Sequence, residues 1–125
     1  MGQRHIIIAE DNSDTRAMVK WLLEQEGYRV ETAPDGVAAL NMILQKTSDL
    51  PDLIVTDIQM PNLSGIDLIK RIRQNNPTAQ TPVVAMSAYG REELERATAA
   101  GADVILRKPE DLPKLAATVR NLLTT

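Results

Sequence analysis

The chain has no cysteine and no phenylalanine, and only one histidine, one tryptophan and two tyrosines among its 125 residues. Without thiols it has no disulfide framework, no thiolate metal site and no cysteine nucleophile, and it suits a reducing compartment. With Trp21, Tyr28 and Tyr89 as its only rings of this kind, the core must be packed from Ile, Leu, Val, Met and Ala. Long apolar runs are missing too. Ile6-Ile7-Ile8-Ala9 and Val83-Val84-Ala85-Met86 are far too short to span a bilayer, and no signal-peptide core opens the chain. Met1-Gly2 could start a myristoylation motif, but Ile6 stands where that motif wants Ser or Thr. Neither sign of charge is concentrated: the formal net charge is −3, with no Lys/Arg cluster and no aromatic stacking platform, which argues against direct nucleic-acid binding. The expectation is a soluble, cytoplasmic, single-core protein that does not enter membranes.

What the chain does have is a regular alternation of apolar strand-type runs and helical periodicities. Residues 5–9 read as a strand buried on both faces, the kind a parallel sheet needs, and end in Glu10-Asp11. Met18, Val19, Leu22 and Leu23 mark a first helix that Gly27 stops, with Trp21 beside the stripe as packing. Residues 28–32 alternate like an edge strand, Pro34-Asp35-Gly36 turns, and Val37, Leu40, Ile43 and Leu44 mark a second helix. A loop over residues 47–51 leads into Leu53-Ile54-Val55-Thr56, a strand that ends on Asp57. Ser64 caps a third helix carrying Ile66, Ile69 and Ile72. Residues 82–86 run as a strand into Ser87. A charged fourth helix over about residues 91–100 has Leu94 as its one large apolar anchor, and its charges read as a solvated surface with intrahelical pairs. Val104-Ile105-Leu106 leads to Lys108-Pro109, and Asp111 can cap the last helix. Five strands alternating with five helices predict an α/β, doubly wound parallel sheet with helices on both faces.

In such a sheet all strand ends of one polarity share an edge, which is where ligands bind. That edge collects Glu10, Asp11, Asp57, Ser87 and Lys108. Three crowded carboxylates repel unless a cation compensates, and Mg²⁺ is the hard ion that carboxylate oxygens suit. A carboxylate nucleophile, a divalent ion and a lysine together suit phosphoryl transfer. Asp57, alone on a central strand, reads as the nucleophile, and Glu10 and Asp11 as metal ligands. His5, with no visible ligand set, reads as structural or solvated.

The combination Glu10-Asp11, Asp57 through Met60-Pro61 to Gly65, Ser87-Ala88, Ala100-Gly101-Ala102 and Lys108-Pro109 resembles the receiver domain of two-component response regulators, the CheY-like family, over nearly the whole chain. The resemblance implies a flavodoxin-like strand order 2-1-3-4-5. It implies one receiver domain over residues 1–125, without an output domain in this chain and without turnover of a separate substrate. Asp57 is then the phospho-acceptor, served by a sensor histidine kinase or a histidine phosphotransfer protein. Asp11, Asp57 and the backbone carbonyl of Gln59 hold Mg²⁺, which Mn²⁺ can replace, and Glu10 acts through a coordinated water. Ser87, with Ala88, and Lys108 bind the phosphoryl group, and Pro109 carries a cis bond. Gln59 and Tyr89 occupy the positions that modulate the lifetime of the acyl phosphate. The face of helix 4, strand 5 and helix 5 meets a downstream protein or a second copy.

Two positions depart from the pattern: the switch residue, commonly aromatic, is Ile105, and Glu110 follows Lys-Pro where Phe is common. Ile105 can move less bulk, which predicts a smaller switch or one that relies on the fourth helix. Two enzyme or cofactor readings fare worse. A haloacid-dehalogenase-type phosphatase wants a second Asp where Gln59 stands, and a dinucleotide site wants a Gly-x-Gly-x-x-Gly after the first strand. The closer rival is a receiver-like interaction module that works without phosphorylation.

Overall fold

Strand β1 (His5–Ala9) is buried at every position and lies inside the sheet, with parallel β2 (Arg29–Ala33) on one side and parallel β3 (Leu53–Asp57) on the other. β4 (Val83–Ser87) pairs with β3, and β5 (Val104–Arg107) with β4. The order is therefore β2-β1-β3-β4-β5, as the resemblance implies. The computed structural model describes residues 3–45 and 49–124, so the Thr47 and Ser48 part of the expected 47–51 loop lies outside the described residues. Helices α1 (Ser13–Gln25), α2 (Gly36–Gln45), α3 (Gly65–Gln74), α4 (Arg91–Ala100) and α5 (Leu115–Leu123) cover the two faces.

The two-residue period of the strands splits the core in two. Ile7, Ala9, Ile54, Val83 and Ala85 point to one face and pack with Ala39 and Ile43 of α2, Leu68, Ile69 and Ile72 of α3, and Ala97 of α4. Ile6, Ile8, Leu53, Val55, Val84 and Met86 point to the other and meet Val19 and Leu23 of α1 and Leu115 and Val119 of α5. Central strands with both faces covered are continuous apolar runs for this reason.

Several sequence expectations need correction. Trp21 is not packing: it is 59% exposed. Val19 and Leu23 face the sheet, and a residue two positions from each lies across the helix axis from them. Met18, Val37 and Leu44 also stay exposed at the margins of their stripes. Leu94 is only half-buried, and fully buried Ala97 anchors α4 instead. No ion pair joins two α4 residues among the described residues, so its charges do not form the expected intrahelical pairs. Asp111 does not cap α5 through its side chain: its Oδ2 accepts the Arg107 backbone N–H at 2.9 Å, and the 3₁₀ turn Leu112–Lys114 leads into the helix. His5 is buried and has carboxylate neighbours after all. Parallel register puts Glu31, opposite Ile7, on the His5 face, where Nε2 lies 2.5 Å from its Oε1, and Asp49 approaches Nδ1 at 3.7 Å.

Arg73 fastens the far side of the sheet. From α3 its guanidinium donates to the carbonyls of Gly101 at 2.8 Å and 3.1 Å and of Thr81 at 2.6 Å, and it pairs with Asp103 at 3.0 Å. The end of α4 and the entrances to β4 and β5 thus meet at one guanidinium, and the Asp103 carboxylate also accepts the Val83 N–H at 2.8 Å.

Candidate functional site

Register delivers the polar groups in a stagger. Ala9 pairs with Thr56, so Glu10 emerges beside Asp57; Asp57 pairs with Met86, one residue before Ser87; Ser87 pairs with Arg107, one residue before Lys108. The loop after β3 is drawn in tightly by two glycines. A Cβ on Gly65 would stand 2.1 Å from the Asp57 carbonyl oxygen, and one on Gly36 would stand 2.2 Å from that of Leu63. Only a residue without a side chain permits either approach.

Glu10 is fully buried and Asp57 is 5% exposed. Buried carboxylates are costly unless each oxygen finds a donor, and these do. Asp57 Oδ1 accepts the Ile58 N–H at 2.8 Å, and Oδ2 accepts Lys108 Nζ at 3.0 Å. Glu10 Oε1 accepts the same Nζ at 2.9 Å, and Oε2 accepts the Asn12 N–H at 3.1 Å. Burial is the largest single influence on Lys108 and pulls its pKa down. The hydrogen bonds and charges of Glu10 and Asp57 together outweigh it, so the net shift is upward and the group stays an ammonium at neutral pH. The Lys108–Pro109 peptide bond is cis.

Asp11 is exposed, and its carboxylate, with those of Glu10 and Asp57, offers oxygens within 4.8 Å of one another. Three carboxylates against one ammonium leave two negative charges in a set of hard oxygen donors, a combination that fits a Mg²⁺-sized dication. Arg16, which the sequence did not single out, donates from α1 to the Glu10 carbonyl at 2.9 Å and holds this turn in place.

Ser87 is fully buried, while Ala88 and Gln59 are exposed and Tyr89 is 59% exposed. Ile105 is half-buried and packs against the α2–α3–α4 side of the core. The Ser87 hydroxyl accepts the Tyr89 N–H at 2.9 Å and donates to Glu93 Oε1 at 2.7 Å. Glu93 Oε2 accepts the side-chain amide of Gln59. Glu93 is the residue that sequence reasoning missed. An acid in the first turn of a helix is usually explained by the helix dipole, and no spacing announces that it reaches back to a strand end.

The fold and this acid–lysine edge define a signalling receiver, and comparison with known proteins agrees. A sequence profile of the family described as "Response regulator receiver domain" matches residues 6–120. The chain is 38% identical over 120 residues to the transcriptional regulatory protein CpxR of Escherichia coli (strain K12), covering 94% of this chain and 48% of CpxR. It is 36% identical over 112 residues to an uncharacterized 14.6 kDa protein in the sodA1 3' region of Leptolyngbya boryana, covering 89% of this chain and 83% of that one. Among solved structures, chemotaxis protein CheY4 of Vibrio cholerae superposes with a TM-score of 0.87 at 28% identity, over 98% of this chain and all of CheY4. The chain belongs to the response regulator receiver domain family of two-component signalling. It spans about half the length of regulators such as CpxR and the PhoB protein of Rhizobium meliloti.

Proposed function

We propose that residues 1–125 act as a phospho-acceptor: Asp57 takes a phosphoryl group from the histidine of a sensor kinase or phosphotransfer protein and passes the signal on by a change of shape. The observation that carries this reading is the Asp57 carboxylate, nearly buried, one oxygen on the Ile58 N–H and the other on Lys108, beside Glu10 and Asp11. A carboxylate oxygen of Asp57 attacks phosphorus, the bond from phosphorus to the donor nitrogen breaks, and its electron pair leaves with the imidazole. Lys108 moves its ammonium from Asp57 Oδ2 to a phosphoryl oxygen, and the Ser87 hydroxyl donates to another. Asp11 and Asp57, with the Gln59 carbonyl, would hold Mg²⁺, and Glu10 would reach it through water; when bound, the ion neutralises charge on the phosphoryl oxygens.

The role is that of a signalling module in the cytoplasm, without turnover of a separate substrate. Among the described residues no helix is long and apolar enough to cross a membrane. The readout is a protein contact, to a downstream target or a second copy, on the face of α4, β5 and α5, and Ile105 takes part as a small switch residue. Borohydride reduction after acetyl phosphate treatment tests the assignment, because it converts a phosphorylated aspartate to homoserine. Peptide mass mapping is expected to find homoserine at position 57 alone; conversion elsewhere, or nowhere, would overturn the reading.

A further inference from the structure

Glu93 belongs to a helix that has little else to hold its first turn. Gly90, at the N-cap of α4, offers no side chain to cap it, and the one fully buried residue of the helix is Ala97, near its other end. The first turn is instead tied to the site through one carboxylate. Glu93 Oε1 accepts the Ser87 hydroxyl at 2.7 Å, and Oε2 accepts the amide of Gln59, two residues past Asp57. A serine hydroxyl has a single proton to donate. While Ser87 gives it to Glu93 it cannot give it to anything bound at Asp57, and the Tyr89 N–H on the Ser87 oxygen fixes the hydroxyl between its two partners.

We propose that Glu93 is an internal stand-in for the phosphoryl group, a carboxylate latch that holds Ser87 and the start of α4 in the resting arrangement. This rests on the phospho-acceptor reading of Asp57. When Asp57 is phosphorylated, the phosphoryl oxygens compete for the same hydroxyl proton, and their charge opposes the Glu93 carboxylate. Glu93 leaves, Gln59 is freed with it, and the first turn of α4 loses these two side-chain ties to the strand ends. The switch then works through release of a helix end, which suits a chain whose fifth strand carries Ile105 and no aromatic ring to swing. Glu93 is a positioning residue here, and it touches no reacting atom.

The test combines intact mass with hydrogen exchange across residues 89–96, in wild type, Glu93→Ala and the neighbouring control Glu92→Ala, before and after acetyl phosphate and Mg²⁺. Freeing the Ser87 hydroxyl from its charge-assisted hydrogen bond is expected to speed phosphorylation of Glu93→Ala by about tenfold, with Glu92→Ala unchanged. Exchange over 89–96 should rise in wild type only on phosphorylation, and should already be raised in untreated Glu93→Ala. Ser87→Ala, which removes the donor from the opposite side, should raise it as well. Phosphorylation of wild type that leaves exchange over 89–96 unchanged, or equal phosphorylation rates in wild type and Glu93→Ala, would overturn the latch while leaving Asp57 an acceptor. Absence of any adduct on wild type would overturn the phospho-acceptor reading beneath it.

Discussion

Asp111 and Tyr89 are two side chains whose effects can be read in isolation. The Arg107 backbone N–H, and after it Lys114, hold the Asp111 carboxyl below its ordinary pKa. The unfolded chain therefore takes up this proton first as pH falls. The stability that charged Asp111 supplies is complete above the ordinary carboxyl pKa of about 3.9 and disappears as pH drops through the lower folded value. Urea midpoints of wild type and Asp111→Ala should differ at pH 7 and draw together only as pH falls beneath the ordinary carboxyl range; a gap independent of pH would contradict the assignment. Tyr89, more than half exposed two residues past the end of β4, is the side chain we propose shields an acyl phosphate on Asp57 from water. Tyr89→Ala is expected to shorten the phosphate lifetime severalfold, measured as decay of the adduct after acetyl phosphate is removed, and an unchanged lifetime would remove Tyr89 from that role. The acids, serine and lysine of the site were legible as residues because each ends a strand-type run. Glu93, Arg16 and the partners of His5 were not, because their contacts depend on where a side chain from another element lands.

Two contacts between elements fix the two ends of α3. Gly65 opens α3 directly against the backbone of Asp57 and Ile58, where an added Cβ would stand 2.1 Å and 2.7 Å from main-chain atoms. Main chain cannot swing away as a flexible side chain can. Gly65→Ala is expected to cost about 3 kcal/mol in urea unfolding and to slow phosphorylation, since the displaced backbone carries Asp57, the proposed acceptor. Arg73 acts at the opposite end of α3. Arg73→Ala should lower stability by about 2–3 kcal/mol without changing the denaturant slope, and Arg73→Lys should not restore it, because a single ammonium cannot span the Gly101, Thr81 and Asp103 acceptors. Element type and succession along the chain could be read from periodicity, the strand order in the sheet came with the resemblance, and the Ser64 cap of α3 is where its residue type places it. Which side of a helix ends up bare could not. The apolar stripes of α1 and α2 are wider than the strip of sheet they cover, so Met18, Val37 and Leu44 remain in solvent, while Trp21 stands on the far side of α1.

The whole molecule is a sheet with two cores and one chemical edge. Covering both faces forces five parallel strands to end together, and that edge gathers residues as far apart in sequence as Glu10 and Lys108, which meet at 2.9 Å. The measurement that bears most directly on the account is intact mass after incubation with acetyl phosphate and Mg²⁺, alongside Asp57→Asn and a sample containing EDTA. The account predicts one phosphoryl adduct on wild type and none in either control. A folded, Mg²⁺-binding protein that takes no adduct, or an adduct that persists in Asp57→Asn, would contradict it, and the former would point to a receiver that docks without phosphorylation.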